Sequence, residues 1–431
     1  DKTPFVKLLV DSGKYFFLSR PRRFGKSLFV DTLKQAFLGN RELFEGLYLE
    51  ENWDWSVKYP VIHIDFGGGV VANAEELKRR IVIMLERHEE ILGISCKYKD
   101  NYRDFFEELI YRTYKQYNIP IVVLVDEYDK PILDRIEDQE KVIEIREVLK
   151  DFYSVLKTAE PYLKFVFLTG VSRFSKVSIF SGLNQLNDIT LDSRFSTICG
   201  YTQSELESVF ADRLEGVDLE KLKHWYNGYN WLGENVYNPF DVLLFFDKRD
   251  FRPYWFETGT PSFLVKLFYK YKYYLPNLES LEVDEGIISN LEVDNIKVEN
   301  VLFQSGYLTI KDTYTLGDEI YYLLSYPNFE VRTSFNKAFL NYIERIGLTY
   351  KPESQVYRSI AENNLNKLRD TLYGFFASIP SDWYRKNELE SYEGFYASVV
   401  YALFTGSGLN TKAEDTTNLG KIDLSVFYED R

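Results

Sequence analysis

Tyr15–Val30 reads YFFLSRPRRFGKSLFV. An apolar, aromatic run (YFFLS) meets a basic loop (RPRRF), then Gly25-Lys26-Ser27, then the amphipathic LFVDTLKQAFL. Strand, loop and helix in that order form a phosphate-binding loop. Backbone N–H groups of the loop and first helical turn converge on phosphate oxygens, the lysine brings a point charge, and the hydroxyl reaches Mg²⁺. The full pattern has a glycine where this chain has Arg20. That glycine eases the turn leaving the strand, and an Arg-Pro pair can make a different turn without abolishing the site. Arg23, Phe24, Gly25, Lys26, Ser27 and Leu28 are thus the candidates to surround a nucleotide's phosphates, with Arg22 and Arg23 able to contact either phosphate or the protein's own carboxylates.

Outward from this stretch, strand-like runs recur at VIHIDF (61–66), IVVLVD (121–126) and YLKFVFLTG (162–170), separated by amphipathic segments such as ANAEELKRRIVIMLERHEEIL and KVIEIREVLKDFYSVLKTA. Runs that are apolar on consecutive positions suit strands covered on both faces. The rhythm predicts an α/β fold with a parallel sheet and helices on each side.

IVVLVDEYDKP ends a strand on Asp126-Glu127. A nucleotide hydrolase needs a carboxylate at the end of a neighbouring strand for the Mg²⁺ shell and a second to orient the attacking water. Alone, the pair would read as an acidic turn. With Gly-Lys-Ser upstream it reads as the metal-binding Asp126, sharing the ion with Ser27, and the catalytic Glu127, acting with Lys26. FVFLTGVSRFSK offers weaker candidates: Thr169, to sense the γ-phosphate or water, and Arg173, to reach a phosphate in this or a neighbouring subunit of a homo-oligomer.

Composition sets the outer bounds. The chain has 431 residues, 45% hydrophobic and 27% charged, as in a folded globular protein. A net charge of −14 excludes a protein coated in nucleic acid, though a local basic patch is still allowed. Cys96, Cys199, His63, His88 and His224 are scattered, which excludes a disulfide framework and a zinc cluster by spacing and points to a reducing cytoplasm. No apolar run spans a bilayer and no signal pattern opens the chain.

Past Gly200 the strand rhythm stops. TQSELESVFADRL, with Thr202 and Glu205 spaced as a capping box, opens a helical segment that runs to the loop-rich WYNGYNWLGENVYNPF. VLFQSGYLTIKDTYTLGDEIYYLLSYPN places a helix before two alternating strands around a polar turn, the order of a winged helix. SIAENNLNKLRDTLYGFFASI and YEGFYASVVYALFTGSG read as helices and KIDLSVFY as a strand.

Taken together, RPRRFGKSLF, VVLVDEYDKPI, FVFLTGVSRFSKVSIFSGLNQLNDIT, YNGYNW with VYNPF, YWFETGT and LFQSGYLTI resemble the AAA-ATPase-like family whose members carry a PD-(D/E)XK nuclease-like domain at the carboxyl end. The resemblance spans nearly the whole chain, and Arg in place of the first loop glycine is part of it. It implies ATP and Mg²⁺ as cofactors and a P-loop NTPase core over 1–200 with strand order 5-1-4-3-2. It also implies a helical lid over 201–262, a winged-helix-like region over 263–350 and a nuclease-like domain over 351–431. By position Glu393 and Asp423 match two of that domain's acids. Its Glu-x-Lys strand would begin just after Arg431, so cleavage is not expected of this chain.

The leading expectation is therefore Mg²⁺-dependent ATP hydrolysis that drives conformational change in a cytoplasmic protein, coupled to a nuclease-like domain directed at DNA or RNA. A slow ATP-dependent signalling or defence switch that docks a partner or oligomerises is the first alternative. A DNA-binding winged helix is the second.

Overall fold

The computed structural model describes residues 1–173, 179–180, 183–257, 264, 268, 273–289, 297–344, 352–378, 393–417 and 420–428. Two compact units divide the chain. The first comprises Asp1–Thr202, Trp231–Glu234 and Gly286–Gly306; the second comprises Gln203–Asn230, Asn235–Glu285 and Tyr307–Arg431.

The first unit is built on β1 (Tyr15–Ser19), β2 (Val61–Asp65), β3 (Ile121–Asp126), β4 (Leu163–Gly170) and the two-residue β5 (Asn187–Asp188). Their order is β2-β3-β4-β1-β5, the sequence expectation read from the other edge, and every pairing is parallel. β1 and β3 are buried at every position, because helices cover both faces, whereas the edge strand β2 ends on an exposed Asp65. Phe16, Leu18, Val123, Leu124, Val166 and Phe167 are at most 1% exposed, and each such side chain contributes about 1.5–3 kcal/mol by leaving water.

The covering helices begin where the local chemistry says they should. α1 (Thr3–Ser12) has Pro4 in its first turn, where no N–H is missed. α3 (Ala74–Ile91), α4 (Tyr102–Tyr117) and α5 (Gln139–Thr158) are capped by the side chains of Asn73, Asn101 and Asp138. α2 (Lys26–Leu38) differs, because its N-cap is Gly25 in the left-handed region at φ 89° and no side chain caps it. Parallel register then lines the strand ends up: Ser19 pairs with Gly170, Val125 with Leu168 and Asp65 with Asp126. The loops after β1, β2, β3 and β4 leave from the carboxyl end of the sheet, where α/β folds place their ligands.

The second unit contains helices over Gln203–Val209, Leu219–Tyr226, Pro239–Lys248 and Tyr254–Glu257, the first beginning directly after Thr202. Trp225, Tyr226, Phe245, Phe251 and Phe329 pack ring against ring within it. A three-stranded antiparallel sheet follows, β6 (Leu281–Asp284), β7 (Thr309–Leu316) and β8 (Glu319–Ser325), in the order β6-β8-β7. The helix before this hairpin, Val298–Ser305, groups with the first unit.

The segment expected as one helix from Ser359 is two, Glu353–Ala361 and Leu365–Ser378. Asn363 turns left-handed at φ 53°, and the Asn364 carboxamide accepts from the Lys367 N–H to start the second helix, so an Asn pair both ends one helix and opens the next. The chain closes with the helix Glu393–Gly406 and the antiparallel pair β9 (Asn410–Thr417) and β10 (Gly420–Phe427). Val356, Phe404 and Leu409 form a small core there, with Leu424 and Val426 packed against it.

Candidate functional site

The site grows from the turn after β1. Arg23 at φ 67° and Gly25 at φ 89° curl the chain, and α2 starts at once with Lys26. Lys26 is 7% exposed, and its Nζ donates to the carbonyls of Arg20 (3.0 Å) and Pro21 (2.9 Å). These use two of the ammonium's three N–H bonds. Burial pulls the Lys26 ammonium below its usual value. Cys199, whose own thiol burial pushes up, and the carboxylates Asp126, Asp129 and Glu127 oppose that pull. Because a thiol held protonated carries no charge, the opposing pull comes from the three carboxylates. Ser27 and Leu28 are exposed on the first turn of α2, and Phe24 is buried edge-on against Trp231 at 5.4 Å.

β3 delivers the acids. Asp126 is 3% exposed and accepts the Glu127 N–H at 2.9 Å. Glu127 sits left-handed at φ 51°, an unfavourable conformation for a residue with a side chain. The Tyr128 N–H donates to the Thr169 carbonyl and the Lys130 N–H to that of Glu127, so bonds on both sides hold the strained residue. Burial pushes the Glu127 carboxyl up, offset chiefly by Lys26 and reinforced by Asp126, Asp129 and Asp65. A carboxylate tuned upward in this way is suited to taking a proton from water.

Beside it, the loop after β2 is FGGG, Phe66–Gly69. A Cβ on Gly67 would come within 2.9 Å of Asp65 Oδ1 and 3.3 Å of Glu127 Oε2, so the absent side chain leaves the glutamate its space. Arg80 donates to the carbonyls of Gly68 and Val70, Lys130 to that of Gly69 and Arg135 to that of Val71, which fixes the loop from two directions.

The two candidates after β4 are engaged within the protein. The Thr169 hydroxyl donates to the Leu18 carbonyl at 2.9 Å, tying β4 to β1. Arg173 is ion-paired with Asp188 at 2.7 Å, its N–H donates to Gln304 Oε1, and its guanidinium reaches the Ile288 carbonyl. The rest of that motif, 174–178 and 181–182, lies outside the described residues, as do 258–260 of YWFETGT. Glu393 is the first residue of its helix and Asp423 is exposed on β10. Arg431 lies outside the described residues.

Sequence reading missed Asp129. It is fully buried, accepts the N–H groups of Val171 (3.1 Å) and Ser172 (2.6 Å), and so fastens the β3 exit to the β4 exit. Gly170 makes room for it, since a Cβ there would lie 2.3 Å from Asp129 Oδ1. The only available signal was a third acid in DEYDK, three residues after Asp126. Trp231 stands at the end of the quoted YNGYNW, but nothing local connects it with the phosphate loop.

Among the described residues no three His, Cys, Asp or Glu side chains form a metal cluster, and no helix is long and apolar enough to cross a membrane. Mg²⁺ beside a nucleotide needs only one or two protein oxygens, because phosphates and water complete its shell, so Ser27 and Asp126 fit that ion.

Residues 1–180 match the family model described as a predicted AAA-ATPase. Over 429 residues the chain is 48% identical to an "Uncharacterized protein in vnfD 5'region" of Azotobacter chroococcum mcd 1, covering 99% of this chain and 83% of that one. The chain thus belongs, over nearly its whole length, to one family with the Azotobacter protein, and its residues 1–180 match the AAA-ATPase-like model.

Proposed function

We propose that the first unit binds ATP with Mg²⁺ and hydrolyses it. One observation carries the reading: parallel pairing brings the turn after β1 and the end of β3 to the same carboxyl end of the sheet, with Lys26 in the field of Asp126 and Glu127. The uncapped first turn of α2 offers backbone N–H groups to phosphate oxygens, and Lys26 adds a charge. Ser27 and Asp126 would hold Mg²⁺, which when bound neutralises charge on the phosphates. Glu127 orients the attacking water and takes its proton, while Gly67 keeps the space in front of its carboxylate open. Catalysis here is placement and charge neutralisation.

Direct nucleotide binding and turnover test this. Lys26→Ala should weaken ATP binding at least about tenfold. Glu127→Gln should keep binding and lower kcat about 100-fold or more. Unaltered affinity in Lys26→Ala would sink the reading. Turnover unchanged by Glu127→Gln would favour the slow switch, in which occupancy alone is the signal.

The nuclease-like reading of the second unit is supported by a helix followed by β9 and β10 with Asp423 on the latter, and the winged-helix reading only by chain order, since the helix before the β7–β8 hairpin groups with the first unit. The hairpin stretch Thr309–Ile320 carries one lysine against Asp312, Asp318 and Glu319, and this charge balance repels a nucleic-acid backbone. The ATPase reading does not depend on either.

A further inference from the structure

We infer that Arg20, in the position where the phosphate-loop pattern has glycine, is the positioning residue that holds Lys26 in place for phosphate. The inference rests on the ATP reading of this loop.

Arg20 is completely buried, yet no carboxylate is bonded to it. Its guanidinium donates instead to three carbonyls: Nη1 to Ser19 (2.8 Å) and Thr190 (2.9 Å), and Nη2 to Phe195 (3.1 Å). One face lies over the Trp231 ring, 4.2 Å from its centroid. The same ring meets Phe24, the loop residue just before Gly25, edge-on. A planar fork suits this arrangement and a lysine ammonium does not, since the site needs several donors in one plane and a flat face to stack. Burial lowers the Arg20 guanidinium to about 10, so it keeps its charge at neutral pH.

The backbone of the same residue completes the connection. Lys26 Nζ donates to the Arg20 and Pro21 carbonyls, so the two peptide oxygens that aim the lysine are the ones whose position the Arg20 side chain fixes. A glycine loop reaches its shape through a backbone freedom that Arg20-Pro21 does not have. Here the shape is held by side-chain anchorage to the 190–195 segment and by the Trp231 lid over guanidinium and Phe24. Arg20 therefore acts through Lys26 and does not itself touch the nucleotide.

The test is a double-mutant cycle on the whole protein, read as ATP affinity by calorimetry, with melting curves to show that each variant is folded. Arg20→Lys keeps the charge but loses the fork and the stack. It should weaken ATP binding about tenfold in the wild-type background and less than about twofold in the Lys26→Ala background, because residues acting as one unit are not additive. Trp231→Phe should repeat the pattern more weakly, and it decides the matter if Arg20→Lys does not fold. Equal losses in both backgrounds, or undiminished affinity in Arg20→Lys, would overturn the positioning role and leave the ATP reading standing. A wild-type protein that binds no Mg–ATP would remove both.

Discussion

At the scale of single residues, the site depends on places where a side chain is absent or unexpectedly buried. Gly170 is the clearest case. Any Cβ there meets Asp129 Oδ1 at 2.3 Å and the Tyr128 ring at 2.6 Å, atoms locked by the bonds to Val171 and Ser172 and by the Tyr128 hydroxyl on the Ser172 carbonyl. Gly170→Ala should therefore cost about 1–3 kcal/mol, read as a lower denaturation midpoint at unchanged slope. Asp129→Asn keeps the volume but weakens the acceptor, so it should be milder. The acids at 126 and 127 were legible in the sequence because an apolar run ended on them. Asp129 was not, because what distinguishes it is two N–H groups supplied from the turn after a strand some forty residues later.

At the scale of elements, the short helix Tyr254–Glu257 in the second unit begins on two buried carboxyls. Asp241 accepts the Trp255 N–H at 2.7 Å and Glu330 the Phe256 N–H at 3.1 Å, and both side chains are buried. Burial raises both, Asp241 to about 7, and the Asp241 charge adds to the rise of Glu330. Groups whose folded pKa lies above the unfolded value bind more protons when folded. Their contribution is complete below the unfolded carboxylate range and is lost as pH rises toward 7. The double variant Asp241→Asn, Glu330→Gln has no proton to lose. Its stability should fall less steeply between roughly pH 5 and 8, as thermal melts across that range would show. The helix broken at Asn363 shows the same limit of local reading. The helical pattern runs through the break, and the two asparagines that make it act through a left-handed backbone and one side-chain cap.

At the scale of the whole molecule, two compact units predict two calorimetric transitions rather than one. Mg–ATP at about one hundred times its Kd should stabilise the first unit by about 2.7 kcal/mol, moving one transition upward and leaving the other in place. Lys26→Ala, with its Kd raised about tenfold, should cut the shift at the same nucleotide concentration to about half, roughly 1.4 kcal/mol. A ligand that moved both transitions equally, or neither, would contradict the placement of the nucleotide in the first unit alone.

The amino-acid sequence by itself determined the parallel core, since β1 and β3 fall on the expected residues, β2 and β4 within one, and the turn chemistry at Gly25 and the acids at 126–127 are local properties of the chain. Hydrophobic runs, glycine and strand-terminal carboxylates act over a few residues, so they can be read without a partner. Only the tertiary structure decided what those residues face. It set Arg20 among the carbonyls of 190 and 195 under Trp231, used Thr169 and Arg173 inside the protein, and recruited Gly286–Gly306 into the first unit. Each of these contacts joins segments far apart along the chain, and the free energy of such a contact depends on packing that no short window of sequence contains.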